Sequence, residues 1–131
     1  MILQVRHAMK GHPFTVPHDA SVKETALTII TAGIDTIVVT KNNEILGVVT
    51  SNDILRYTYT SGFNPAKTCI ETITNEDIIL ARPTTSLDDV RNIMTESTTN
   101  TLPVVDRELV GYITLRDLIR VQPEKMEAQV A

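Results

Sequence analysis

Apolar residues along this chain follow two alternating spacings, and the alternation comes round twice. After Ser21, a candidate helix N-cap, Val22, Ala26, Ile29 and Ile30 recur at the spacing of a helix facing a core. After Ser86 the same role falls to Leu87, Val90, Ile93 and Met94. Each helical stretch leads into a β-branched run, Thr36-Ile37-Val38-Val39-Thr40 or Thr101-Leu102-Pro103-Val104-Val105. A short polar turn then leads to Ile45-Leu46-Gly47-Val48-Val49-Thr50 or Leu109-Val110-Gly111-Tyr112-Ile113-Thr114, so each pair of runs reads as a hairpin. A second helix begins near Ser51 or Leu115, with Ile54, Leu55, Leu118 and Ile119 expected to face inward. An extended segment precedes each first helix, Pro13-Phe14-Thr15-Val16 and Ile78-Ile79-Leu80-Ala81. Asn64-Pro65 predicts a short helix through Ile70 and Ile73, with Cys69 buried on its apolar face. Pro103 falls at the start of its strand, where a missing donor is tolerated.

The two passages align. A shift of 65 positions carries Ser21 to Ser86, Thr36 to Thr101 and Val39 to Val104. One residue is lost in the turn Lys41-Asn42-Asn43, opposite Asp106-Arg107, and the shift becomes 64. Gly47 then meets Gly111, Thr50 meets Thr114, Asp53 meets Asp117 and Arg56 meets Arg120. Turns tolerate a length change that strands do not, so the gap supports duplication. The expected fold class is α/β (α+β), as two β-α-β-β-α repeats. The expected boundaries are 1–62 and 63–122, with a polar tail at 123–131 whose default is a frayed or disordered end.

Composition narrows the function. Hydrophobic residues make up 42% of the 131, but aromatics only 4%, so the core must be aliphatic. Each half alone has a size at which burial is marginal, which favours two halves packed together. A net charge of −4 disfavours nucleic-acid binding, which draws on Lys and Arg against phosphate. A single cysteine excludes an internal disulfide framework and suits a reducing cytoplasm. No apolar run approaches the roughly 18 residues of a membrane span, and residues 1–7 lack the order of a signal peptide.

The candidate chemistry lies in Gly47-Val48-Val49-Thr50-Ser51-Asn52-Asp53 and its counterpart Gly111-Tyr112-Ile113-Thr114-Leu115-Arg116-Asp117. Thr-x-x-Asp before an apolar helix is first of all a capping arrangement. The glycine fits a bulge or a close backbone approach, and equally leaves room for a ligand. A carboxylate at a strand-to-helix junction also offers two acceptors to the paired hydroxyls of a ribose, and a threonine hydroxyl both donates and accepts. The readings are compatible, since a cap can face a ligand. His7, His12 and His18 match no compact metal-ligand spacing, and Arg82 and Arg91 read as surface charges. No nucleophile elbow, phosphate loop or Cys/His pairing marks an enzyme.

Thr36-Ile37-Val38-Val39 with Gly47-x-x-Thr50-x-x-Asp53, and Leu102-Pro103-Val104-Val105-Asp106 with Gly111-x-x-Thr114-x-x-Asp117, together resemble a CBS-domain pair, or Bateman module. The resemblance covers about residues 5–120. It implies two repeats packed sheet to sheet with pseudo-twofold symmetry, two clefts, and adenosine-containing ligands: AMP, ADP, ATP, S-adenosylmethionine or related dinucleotides. It places Thr50 and Asp53 on ribose and phosphate in one cleft, opposite Leu80, Ala81, Thr99, Asn100 and Thr101. In the other cleft Thr114 and Asp117 would face Thr15, Val16, Ile34, Asp35 and Thr36; Val48 and Tyr112, each just after its glycine, resemble base-packing positions. Arg116 in one cleft and Asn52 at the matching place in the other imply that the two do not bind alike.

The sequence therefore reads as a stand-alone cytoplasmic, non-enzymatic ligand sensor without metal or resident cofactor. The resemblance adds a homodimer formed through helices at 21–31 and 51–57, and an unidentified regulated protein. The alternative is a ligand-free dimerisation or scaffold module.

Overall fold

The structure is a computed structural model and describes residues 2–11 and 14–121. The chain divides into two compact units, one of residues 14–79 and one of residues 1–13 with 80–131. Both are mixed α+β.

The 14–79 unit runs β1 (Thr15–Pro17), α1 (Val22–Ala32), β2 (Thr36–Lys41), β3 (Glu44–Thr50) and α2 (Ser51–Thr60). Its sheet has the order β1-β2-β3, with β1 parallel and β3 antiparallel to β2. Ser21 Oγ caps α1 by accepting from Glu24 N. Gly33 ends the helix at φ 69°, and its N–H donates to the carbonyls of Ile29 and Ile30. Asn42 and Asn43, both at positive φ, close the hairpin, a conformation asparagine adopts at low cost. Val16, Val22, Ile29, Ile37, Val39, Val49, Tyr57 and Ile70 are buried.

The other unit contains α3 (Leu87–Ser97), β4 (Thr101–Asp106), β5 (Glu108–Thr114) and α4 (Leu115–Arg120), with β4 and β5 antiparallel. Its core joins Leu87, Val90 and Met94 of α3 to Leu102, Val104, Ile113 and Leu118. Val5 and Ala8 from the start of the chain complete it.

Those two residues reveal an exchange. Residues 4–10 form an arm that packs on the second repeat: Gln4 bridges Ser86, Leu87 N donates to Leu3 O, and Lys10 pairs with Tyr112 through both backbone groups. Residues 69–75 do the same for the first repeat, where Cys69 bridges Ser21 and Asn75 pairs with Val48. A shift of 65 relates the arms, carrying Gln4 to Cys69, Val5 to Ile70 and Lys10 to Asn75. Each arm leaves the sequence of its own repeat for the compact unit of the other, so the units are cut differently from the halves 1–62 and 63–122.

Several local expectations change. No strand forms at residues 78–81; only Ala81 bridges Val104. Two prolines explain the loss. Pro83 stands where the first repeat has His18, whose N–H donates to Thr40 O, and proline has no N–H to give. Pro103, which lies within β4 and not at its first residue, brings no donor to the edge that faces Ala81. Asn64-Pro65 opens a turn, in which Asn64 Oδ1 accepts from Ala66 N, and the helical part shrinks to a 3₁₀ turn at Ile70–Ile73. Cys69 precedes that turn and is exposed, not buried. Ile30, Leu55 and Ile119 also face outward, because α1, α2 and α4 bury narrower stripes than the spacing suggested. Among the described residues no helix is long and apolar enough to cross a membrane. His12, Pro13 and the tail at 123–131 lie outside the described residues.

Candidate functional site

Each hairpin delivers its second strand directly into a helix, and the Thr-x-x-Asp pair sits at that junction. In the 14–79 unit, Asp53 N donates to Thr50 Oγ1 at 3.0 Å, and Thr50 N donates to Asp53 Oδ2 at 2.9 Å. The reciprocal bonds form a capping box, which satisfies two donors that the helix end would leave bare. In the second unit, Thr114 N donates to Asp117 Oδ2 at 2.9 Å and Asp117 N to Thr114 Oγ1 at 3.3 Å. The capping reading therefore holds at both junctions.

The glycines belong to the scaffold. A Cβ on Gly47 would come closer than 3.0 Å to the carbonyl oxygen of Asn75, and one on Gly111 equally close to that of Lys10. Both sit at a register shift, between Val39 and Thr40 or between Val104 and Val105. The missing side chain admits the exchanged arm, so room for a ligand is not what requires it.

The units assemble the remaining candidates as follows. Thr36 pairs with Thr50 across the hairpin, Asp35 O accepts from Ser51 N, and Thr36 Oγ1 donates to Asp35 Oδ1. Asp35 and Thr36 thus stand beside Thr50 and the start of α2 within this unit. The second unit repeats the pattern: Thr101 pairs with Thr114, Asn100 O accepts from Leu115 N, and Thr101 Oγ1 donates to Asn100 Oδ1. Thr99 Oγ1 in turn donates to Thr101 O. Thr15 is exposed and Val16 buried on β1, Ile34 is buried behind Gly33, and Val48 is buried on β3. Asn52 and Arg116 are exposed in the first turns of α2 and α4. Leu80 and Tyr112 are half-buried, and Ala81 is buried.

The electrostatics differ between the junctions. The Asp117 side chain is 0% exposed, and its Oδ1 meets Arg120 Nη2 at 2.5 Å and Lys10 Nζ at 3.7 Å. Asp53 is only half-buried, and among the described residues it has no cationic partner. Lys10 and Arg120 are the residues that sequence reasoning missed here. Arg120 is one helical turn from Asp117, a spacing visible in the sequence. Lys10 arrives on the exchanged arm, which no local pattern announces. Elsewhere, His7 Nδ1 accepts from Gln4 N, Arg91 pairs with Asp88, and His18 with Lys41 contacts Glu71. No cluster of three metal-binding side chains occurs among the described residues.

The CBS domain family matches residues 5–59 and 70–124. The chain belongs to the CBS domain family. Its two CBS repeats are 31% identical over 116 residues to the uncharacterized protein MJ0450 of Methanocaldococcus jannaschii, covering 86% of this chain and 62% of that one. A second protein of that organism, MJ0188, is 30% identical over 128 residues, covering 95% of this chain and 46% of its own length. The chain thus spans about half to two thirds of these relatives. Among solved structures, the CBS domain pair of protein MJ0100, in complex with methylthioadenosine and S-adenosylmethionine, is 26% identical with a TM-score of 0.80. That likeness covers 95% of this chain and 99% of that one. An acetoin utilization protein from Vibrio cholerae, 23% identical at the same TM-score, shares the fold.

Proposed function

We propose that this CBS pair is a non-catalytic regulatory sensor that binds an adenosine-containing ligand through the ribose diol. The observation that carries the reading is the state of Thr50 and Asp53. Asp53 Oδ1 accepts nothing, and the Thr50 hydroxyl proton goes to no acceptor, among the described residues. One free acceptor beside one free donor matches a vicinal diol, whose hydroxyls do both. A solved CBS pair of the same fold, 26% identical, is in complex with methylthioadenosine and S-adenosylmethionine, which supports adenosine chemistry here. The likeness to the inosine-5'-monophosphate dehydrogenase of Aquifex aeolicus spans only 22% of that enzyme, so its activity does not carry over.

Sensing requires that the ligand favour one of two conformations, which the module then passes to a partner protein. A second copy of the chain is the proposed first partner. Leu27 and Ile30 of α1 and Leu55 and Tyr59 of α2 are exposed on helices that pack together, and they support pairing through this face. The competing reading, a ligand-free dimerisation module, draws on Asp117, which the chain's own cations already hold.

Thermal unfolding with AMP, ATP, methylthioadenosine and S-adenosylmethionine separates the two. A ligand at 100 times its dissociation constant adds about 2.7 kcal/mol, and Asp53→Asn is expected to abolish the gain. No response from any of the four favours the scaffold.

A further inference from the structure

We infer that the two Thr-x-x-Asp pairs are not equivalent: Lys10 and Arg120 lock Asp117 from within, so that Thr50 and Asp53 alone can take a diol and the chain binds one ligand. This rests on the diol reading above and decides which junction serves it.

The repeat provides its own control, because each partner of Asp117 has a counterpart near Asp53. Lys10 reaches Asp117 Oδ1 from the exchanged arm. Its counterpart Asn75 holds the same arm position and pairs with Val48 of β3 as Lys10 pairs with Tyr112 of β5, but it is uncharged and its side-chain oxygen accepts from Asp77 N. Arg120 meets Asp117 Oδ1 one turn along α4. Its counterpart Arg56 is equally placed on α2, yet its guanidinium has no partner among the described residues. The Thr114 hydroxyl donates to Asp117 Oδ2 at 2.9 Å, whereas that of Thr50 makes no such bond to Asp53. Asp117 is 0% exposed and Asp53 half-buried.

Asp117 therefore spends both oxygens inside the unit. Arg120 and Lys10 bring full positive charges to the Asp117 carboxylate, a Coulomb attraction that a neutral hydroxyl donating to the same oxygen does not supply. A neutral diol approaching Asp117 would have to displace two cations and the Thr114 hydroxyl in exchange for weaker bonds, and would leave the cations without their partner. At Asp53 it displaces only water. The junctions share a sequence motif, but one uses its carboxylate to fasten the arm and the other leaves it open.

Two measurements decide this. The first needs no ligand: thermal unfolding of Lys10→Met, Arg120→Met and Asp117→Asn, singly and in pairs. Each cation substitution is expected to lower the midpoint in the parent chain and to do little in the Asp117→Asn background. The pair Arg56→Met and Asp53→Asn is expected to be additive. Additivity at Asp117, or equal coupling at Asp53, overturns the lock. The second is calorimetric titration with methylthioadenosine and S-adenosylmethionine. One site per chain is expected, with no residual site in Asp53→Asn. Two sites, or a site surviving in Asp53→Asn, overturns the assignment. If neither compound binds the parent chain, the diol reading fails, and the coupling measurement still decides the lock.

Discussion

Thr98 sits in the left-handed region at φ 55°, where the first repeat has Gly33 at φ 69°. A β-branched residue is strained there, and glycine is not. Thr98→Gly is expected to stabilise the chain by about 1 kcal/mol, of the order that left-handed φ costs an L-residue; urea unfolding measures it. The 65-residue shift sets Thr98-Thr99 against Gly33-Ile34, so the missing glycine can be read from the sequence itself. Glu71 was not. The hydrogen bond from Lys41 at 3.0 Å, followed by that with His18, holds its carboxyl below the usual glutamate range. A depressed folded value contributes stability above the unfolded value, lost as pH falls through the folded one. Glu71→Gln is expected to lower the unfolding midpoint at neutral pH and to leave it unchanged once acid has protonated the parent chain; midpoints recorded against pH test this. The three groups come from the loop after β1, from β2 and from the exchanged arm, which sequence spacing cannot bring together.

At the scale of elements, helices and hairpins were legible because their spacing, caps and turns are local. Ser21 and Ser86 cap where the sequence placed them. What the pattern misjudged was long-range. The segment at 78–81 has a strand's composition, but pairing depends on donors supplied elsewhere, and Pro83 and Pro103 withhold them. The helix expected from Asn64-Pro65 gave way to a turn because the chain must reach the arm position by Cys69, whose bridge to Ser21 fixes it. Gly47 and Gly111 were recognised as exceptional, but their cause became plain only with the arm backbones of Asn75 and Lys10 against them. Gly47→Ala and Gly111→Ala should each cost about 1–3 kcal/mol through overpacking, as a lower denaturation midpoint. Midpoints equal to the parent's would mean that the arms are not held there.

For the molecule as a whole, duplication was legible in the sequence, and arm exchange was not. Each compact unit takes its last core residues, Val5 with Ala8 or Ile70, from the other repeat's arm. The same exchange brings Lys10 to Asp117, which is why the candidate site looked symmetric in sequence and is asymmetric in charge. The exposed helix face carries its own expectation: in analytical ultracentrifugation the proposed dimer should sediment as a monomer once Ile30→Glu is introduced, and a parent that is already monomeric, or a variant that stays dimeric, would exclude pairing through that face. The central claim is ligand capture at Thr50 and Asp53. An amide NMR titration with methylthioadenosine tests it most directly. The largest shifts are expected at residues 50–53 and 35–36, with little change at 114–117. Shifts centred on 114–117, or none anywhere, would contradict it.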